Sequence, residues 1–187
     1  MDVVLFHHAL GQTPGFLGFA DDLRAAGHAV TTPDLYDQRV FADLDEGVAF
    51  ADRMGTAEVI GRAMRAVADL PPRVVYAGFS LGSVAAQVLT QDRPGAAGAL
   101  LYHGGAAPRW FPQPWPPGVP VQIHTSENDP WVDVEECREL AADASRAEVY
   151  IYPGSAHLFA DPDSGEYEAA AAGLLLERSL EFLATLG

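Results

Sequence analysis

The stretch that decides the fold is RVVYAGFSLGSVAAQVLTQD, residues 73–92. Its β-branched start, RVVYAG at 73–78, predicts a buried strand, and LGSVAAQVLTQD at 81–92 predicts a helix. Between them, the letters GFSLG form a G-x-S-x-G pattern centred on Ser80. In a strand–turn–helix this pattern holds the serine on a strained turn, which needs small residues on either side. Ser80 is therefore a candidate nucleophile, although a serine that merely begins a helix would look similar.

Short apolar runs alternate with helical stretches along the rest of the chain. The predicted strands are 2–8, 28–32, 73–78, 97–103, 119–125 and 147–153. The predicted helices are 13–28, one within 45–69, 81–92, 133–144 and 164–185. This alternation favours right-handed βαβ units and a mostly parallel six-stranded sheet with helices on both faces. The length of 187 residues suits one domain, residues 1–187.

The composition narrows the function classes. The formal net charge is −15, which disfavours binding to nucleic acid or to anionic membranes. All 11 basic residues are arginine, so neither a lysine Schiff base nor a GxxxxGK phosphate loop is available. The single cysteine, Cys137, excludes an intrachain disulfide. The sequence begins without the pattern of a secretion signal and has no run long enough to span a membrane, so we expect a cytoplasmic protein.

A base and an acid for Ser80 are predicted from the positions that follow the last two strands. Ligands of parallel sheets bind beyond the carboxyl ends of the strands, where His157 and Asp129 are expected. In proteins with this strand–turn–helix motif, the serine comes first along the chain, then the acid, then the histidine. Ser80, Asp129 and His157 follow that order. Three other carboxylates compete with Asp129: Glu127 most closely, then Asp161 and Asp133.

The loop after the first strand, HHALG at 7–11, is expected to complete the site. The backbone N–H groups of Ala9 and Leu81 are the predicted oxyanion donors. His8 and Leu10 are expected to line the substrate pocket. Because adjacent strand residues point to opposite faces, His7 and His8 should not bind one ion together, and we expect neither a metal nor another cofactor.

A proline- and aromatic-rich segment, 104–120, is too long for a plain connection and is predicted to cover the active site. Aromatic side chains from this segment and from the acid and histidine loops are expected to line an apolar pocket. They are Trp110, Phe111, Trp115, Trp131 and Phe159. For each of them, a place in the hydrophobic core is an equally good interpretation.

The chain resembles the dienelactone hydrolase family, in particular its short single-domain members. The resemblance covers nearly the whole sequence. It rests on HHALG at 7–11, TPDLYD at 32–37, GFSLGS at 78–83, SENDPWV at 126–132 and YPGSAHLF at 152–159. It implies an α/β-hydrolase core without the two leading strands, with strand order 2-1-3-4-5-6. It also implies hydrolysis of an ester or lactone through an acyl-enzyme.

The chain departs from the family pattern at three positions. The lactone-cleaving members that this chain resembles usually carry a cysteine as nucleophile. They also have a glutamate in the first loop and an arginine four residues after the catalytic histidine. Here these positions hold Ser80, His8 and Asp161. Together with the net charge of −15, the departures favour a small neutral ester or lactone over dienelactone itself.

Two other interpretations stay open at the level of sequence. A fold does not imply chemistry, so a non-catalytic protein that binds a small ligand or a partner is the alternative from another class. A thioesterase or an acyltransferase would use the same three residues. The sequence is compatible with a monomer or a homodimer.

Overall fold

Six parallel strands form the central sheet of the computed structural model, which describes residues 1–187. They are β1 (Asp2–Phe6), β2 (Ala29–Thr31), β3 (Val75–Phe79), β4 (Gly98–Tyr102), β5 (Val121–Ser126) and β6 (Ala147–Tyr152). Their order across the sheet is β2-β1-β3-β4-β5-β6, and every neighbouring pair is parallel. The single-domain α/β fold and the predicted strand order are thus confirmed.

Six α-helices connect or follow the strands. They are α1 (Pro14–Ala25), α2 (Leu44–Met54), α3 (Thr56–Ala66), α4 (Leu81–Asp92), α5 (Val134–Asp143) and α6 (Ala169–Ala184), with a 3₁₀ turn at Pro108–Trp110. No helix among them has both the length and the apolar character that crossing a membrane requires.

Two helix predictions were wrong, one in the number of helices and one in the residue at which the helix begins. The region 45–69 holds two helices rather than one, because Gly55 has a φ of 84° and interrupts the helical backbone between them. The last helix begins at Ala169 rather than at 164. Before it, the side chains of Ser164 and Glu166 bind backbone groups of residues 157 and 158, which keeps this segment out of a helix.

The core lies on both faces of the sheet. One cluster of 22 buried residues packs α2 to α5 against one face, and a second cluster of 17 packs α1 and α6 against the other. Neighbouring strand residues divide between them: Val4 belongs to the first cluster, and Val3 and Leu5 belong to the second. Burial of each large apolar side chain contributes about 2 kcal/mol, so the two clusters hold the strand ends in place.

The connections reverse direction between β1 and β3, which are neighbours in the sheet but not in the chain. At such a point the loops that leave adjacent strands separate and open a crevice beyond their carboxyl ends. Because all six strands are parallel, the loops that follow them start at the same edge of the sheet. The loops that matter for the site are those after β1, β3, β4, β5 and β6.

Candidate active site

Ser80 lies on the sharp turn between β3 and α4, with φ 51° and ψ −111°. A residue other than glycine rarely adopts these backbone angles, so the turn is strained. The flanking glycines make it possible: a Cβ on Gly78 would lie 2.0 Å from the Gly82 carbonyl oxygen. A Cβ on Gly82 would lie 2.3 Å from the carbonyl oxygen of Phe6. A larger residue at position 78 would push the start of α4 away from β3, and one at position 82 would push α4 away from β1.

The Ser80 hydroxyl does not cap α4, since it makes no bond to the first N–H groups of the helix. It lies 2.7 Å from Nε2 of His157 instead. The backbone N–H of Ser80 donates to the Tyr102 carbonyl oxygen at 2.8 Å, which ties the turn to the end of β4. The geometry therefore differs from that of a serine whose task is to begin a helix.

His157 joins Ser80 to a carboxylate. Its Nδ1 lies 2.7 Å from Oδ2 of Asp129, and both side chains are almost completely buried. The other oxygen of Asp129 accepts the backbone N–H of Trp131 at 2.8 Å. With Nδ1–H donating to the carboxylate, Nε2 carries a lone pair and can accept the serine proton.

The competing carboxylates have other places. Glu127 is exposed, and Asp133 caps α5 by accepting the backbone N–H of Glu135 at 2.9 Å. Asp161 is fully buried but binds His8. Of the candidate catalytic residues, the structure thus brings together Ser80, His157 and Asp129.

Glu166 is a residue that motif analysis missed. Its Oε2 accepts the backbone N–H of His157 at 3.1 Å and that of Leu158 at 3.3 Å. It thereby holds the loop that carries the histidine. No short motif marks Glu166, because it acts through backbone contacts nine residues away in the chain.

The two predicted oxyanion donors lie at neighbouring places. Leu81 is the first residue of α4, where helix N–H groups lack intrahelical partners. Ala9 is buried, and its N–H donates no hydrogen bond within the protein. The space that a Cβ on Gly82 would occupy lies 2.7 Å from the His7 carbonyl oxygen, so the loop of Ala9 rests directly on the start of α4.

A cavity of about 230 Å³ opens above Ser80 and His157. Apolar side chains of Leu44, Val48 and Val132 contribute to its wall. Its charged lining residues, apart from histidine, are Asp133 and Glu136, and no arginine lines it. The space is small and has acidic walls.

The aromatic residues predicted to line the pocket are mostly placed elsewhere. Trp131 does line the cavity, with its ring centroid 6.1 Å from that of His157. Trp110 is 66% exposed and, like Phe111, does not reach the cavity. Trp115 packs into the core and donates from Nε1 to the Val119 carbonyl oxygen, which satisfies its only polar group there.

Phe159, Leu10 and His8 are likewise not cavity residues. Phe159 is buried in the core between Tyr152 and His103, at ring distances of 4.8 and 4.6 Å. Leu10 is buried, and the ring of His8 is bound by Asp161. The position of these residues in the sequence does not give the direction in which their side chains point.

The pair formed by His8 and Asp161 lies entirely inside the protein. Nε2 of His8 is 2.6 Å from Oδ2 of Asp161, and both side chains are inaccessible to solvent. The Thr13 hydroxyl donates to the same oxygen at 2.6 Å. Burial alone would raise the pKa of Asp161, but the hydrogen bonds from His8 and Thr13 outweigh it and leave the pKa below its ordinary value.

His103, which directly follows β4, also lines the cavity. Its backbone has a φ of 59°, and neither of its ring nitrogens has a hydrogen-bond partner. Burial lowers the pKa of His103 well below its ordinary value, so the ring is neutral beside His157, 6.0 Å away.

Cys137 is not a second nucleophile. It is buried in α5, and burial raises the pKa of its thiol to about 11. The reactive thiolate is therefore scarce at neutral pH. His7 and His8 also face different partners, since His7 accepts the Leu35 N–H while His8 binds Asp161.

Comparison with known proteins agrees with this architecture. The sequence model of the dienelactone hydrolase family matches residues 1–187. Among curated proteins, no sequence matches this chain significantly.

Two solved structures illustrate the likeness in fold. A dienelactone hydrolase-like promiscuous phosphotriesterase from metagenomic libraries is 21% identical, with a TM-score of 0.80 over 99% of this chain and 86% of its own. The propionate-bound esterase 2 of Thermogutta terrifontis is 19% identical, with a TM-score of 0.72 over 100% of this chain and 83% of its own. Because the family model spans the entire sequence, the chain belongs to the dienelactone hydrolase family and is a hydrolase of the α/β superfamily.

Proposed function

We propose that this protein is a serine hydrolase that cleaves small, neutral esters or lactones through an acyl-enzyme on Ser80. The observation that carries the proposal is the chain of hydrogen bonds from Ser80, which lines the cavity, through His157 to Asp129, with both links at 2.7 Å. A serine hydroxyl needs such a base, and the base needs such a carboxylate, to react at neutral pH.

In the first half of the reaction, Oγ of Ser80 attacks the carbonyl carbon of the substrate. Nε2 of His157 takes the hydroxyl proton, and Asp129 stabilises the imidazolium that forms. The bond between the carbonyl carbon and the leaving oxygen then breaks. His157 returns the proton to that oxygen, and the acyl group stays on Ser80.

In the second half, a water molecule gives a proton to His157 and its oxygen attacks the acyl carbon. The bond to Oγ breaks, His157 reprotonates Ser80, and the carboxylic acid leaves. In both halves the N–H groups of Ala9 and Leu81 are the proposed donors to the developing oxyanion. Each such donor typically contributes about 3 kcal/mol to the transition state.

The proposal of a small neutral substrate rests on the cavity. Its volume of about 230 Å³ admits a short acyl chain or a small ring. Asp133 and Glu136 in its lining disfavour a carboxylate substrate, and no arginine there would offset them. Asp161, at the family's arginine position, is bound to His8 and cannot recruit an anion.

Within the segment 104–120, we propose that only its start borders the substrate. Gly104, Gly105 and Ala106 line the cavity. The centre of the segment is tied to α5, since Arg109 and Nε1 of Trp110 both bind the carboxylate of Glu136.

The single cysteine is compatible with the cytoplasmic location that we continue to propose.

The test is labelling with a fluorophosphonate probe, followed by peptide mass spectrometry and by assay of p-nitrophenyl acetate turnover. We expect the label on Ser80 in the wild type and none in Ser80→Ala. Turnover should fall by on the order of 10⁴- to 10⁶-fold in Ser80→Ala and in His157→Ala, without addition in the double variant. Thermal unfolding of each variant provides the control for folding.

The outcomes separate the candidate functions. A folded wild type that takes no label and hydrolyses no ester would instead favour the non-catalytic ligand-binding protein. Faster turnover of thioesters, or transfer of the acyl group to an added alcohol, would favour a thioesterase or an acyltransferase. A steady increase in kcat/KM towards long acyl chains would contradict the small pocket.

A further inference from the structure

The loop after β1 is shaped by the side chain of His8. The Leu10 N–H donates to Nδ1 of His8 at 3.2 Å, and the Gly11 N–H donates to the His8 carbonyl oxygen at 3.0 Å. Nδ1 of His7 lies 2.7 Å from the same carbonyl oxygen. These bonds define the turn around Ala9 and leave the Ala9 N–H without a partner inside the protein.

The opposite nitrogen of the same ring reaches another part of the site. Because Nδ1 accepts the Leu10 N–H, Nε2 carries the ring hydrogen and donates it to Asp161. Asp161 follows His157 by four residues, and its own N–H donates to the Leu158 carbonyl oxygen at 3.1 Å. One imidazole thus connects the Ala9 turn to the segment that carries the catalytic base.

The surroundings of the pair leave it little freedom. Thr13, the cap of α1, donates to the same oxygen of Asp161, and the Asp163 N–H donates to the other oxygen at 2.9 Å. Gly15 is so close that a Cβ there would lie 2.0 Å from Oδ1 of Asp161. A short, buried hydrogen bond to an ionised carboxylate is among the stronger polar contacts in proteins.

We infer that His8 and Asp161 form a positioning pair that sets the Ala9 N–H relative to His157 and so aligns the oxyanion site with the base. The inference rests on the proposed function, because it assigns the pair to the same reaction. The pair does not touch substrate; it acts through the Ala9 turn and the loop of His157. Small displacements of such donors lower catalysis because their alignment is set before the reaction.

The experiment uses two variants that each break one end of the connection. In His8→Gln the amide reaches towards Asp161 but no longer holds the Leu10 N–H, and Asp161 keeps a donor. In His8→Asn the amide stays near Leu10 but is too short for Asp161. The matched control is His124→Gln, which changes another buried histidine with two side-chain bonds, outside the cavity.

For each protein we would measure kcat per fluorophosphonate-labelled serine, KM, the pH dependence of kcat/KM and the thermal midpoint Tm. We expect kcat to fall about tenfold in both His8 variants, with KM within about twofold, since the contribution is smaller than that of a whole oxyanion donor. The midpoint of the acid limb of kcat/KM should not move. His124→Gln should lower Tm but keep kcat per labelled serine.

A purely structural pair would lower Tm in the His8 variants and leave kcat per labelled serine within about twofold of wild type, which would overturn the inference. A shifted acid limb would also overturn it, because the change would then act on His157. In either case the wild type would still be labelled and active, so the proposed function would stand. A wild type without label or turnover would overturn both.

Discussion

Two buried histidine–carboxylate pairs lie at the same edge of the sheet, and they differ in what the second ring nitrogen meets. In the pair of His157 and Asp129, at 2.7 Å, the other nitrogen faces the hydroxyl of Ser80. In the pair of His8 and Asp161, at 2.6 Å, the other nitrogen accepts the Leu10 N–H. A carboxylate orients both rings. In the proposed reaction the hydroxyl of Ser80 makes the first ring a base, whereas a backbone amide makes the second ring part of the scaffold.

The sharpest way to break this comparison is to make the same change in both pairs. Asp129→Asn removes the acceptor that orients His157, and we expect kcat to fall by about 10⁴-fold, as loss of a triad carboxylate typically does. Asp161→Asn should lower kcat by only about tenfold, because it acts through the Ala9 turn. Steady-state kinetics normalised to labelled serine would measure both, with urea unfolding as the control. Equal losses in the two variants would contradict the distinction.

The second prediction concerns two buried histidines, His7 and His124, that make no hydrogen bond to a carboxylate. Burial lowers the pKa of His7 to about 4 and that of His124 to about 3. In the unfolded chain these groups bind protons near pH 6.5, so between pH 6.5 and 4 the unfolded state holds more protons. The free energy of unfolding should therefore decrease as pH falls through this range. By pH 5 each histidine accounts for on the order of 2 kcal/mol.

Urea unfolding at pH 7 and pH 5 would measure this loss. In His124→Gln about 2 kcal/mol of the pH dependence should disappear, since the substituted group does not titrate. A stability that is the same at both pH values in the wild type would show that these rings are not held neutral by the fold.

A third prediction concerns a substitution that displaces Asp161 without changing either side chain of the His8–Asp161 pair. In Gly15→Ala the new methyl group would collide with Asp161 and with Pro162, at 2.0 and 2.8 Å. We expect a loss of about 1–3 kcal/mol in the free energy of unfolding from this overpacking. Several-fold lower kcat should accompany it.

The matched control for Gly15→Ala lies on the same helix. A Cβ on Gly18 meets nothing within 4 Å, so Gly18→Ala should keep full activity. It should also raise the free energy of unfolding by up to about 1 kcal/mol, because alanine favours a helix. Similar kcat values in Gly15→Ala and wild type would indicate that Asp161 tolerates displacement.

The smallest effect is expected at Trp131, which connects the first pair to the cavity. Asp129 accepts the N–H of Trp131, whose side chain lines the cavity and is 49% exposed. Trp131→Ala should raise KM about two- to threefold for aromatic esters, with kcat unchanged, because a half-exposed ring offers limited contact area. Trp110→Ala, at a more exposed tryptophan outside the cavity, should leave KM unchanged.

The parts of this protein that sequence predicts well are those decided by neighbours in the chain. The alternation of strands and helices, the turn at Ser80 and the cap at Thr13 all follow from local patterns, and the structure has each of them. The break at Gly55 was missed because a lone glycine in a helical pattern does not by itself show that the helix ends.

The aromatic residues show where local reasoning stops. Trp115 and Trp131 each lie in a loop that follows a strand, yet one packs into the core and the other lines the cavity. The direction of such a side chain depends on tertiary contacts: Nε1 of Trp115 donates to the Val119 carbonyl oxygen, whereas the backbone N–H of Trp131 donates to Asp129 beside His157.

By itself, the sequence determined the sheet, the strained serine turn with its two glycines, and the set of residues that reach one edge. Only the tertiary structure decided which carboxylate meets which histidine. Asp129 and Asp161 each lie within a few tens of residues of His157, but His8 and Asp161 are 153 positions apart and Ser80 and His157 are 77 apart. Contacts over such separations carry no local pattern, because they depend on how two packed faces bring separate loops together.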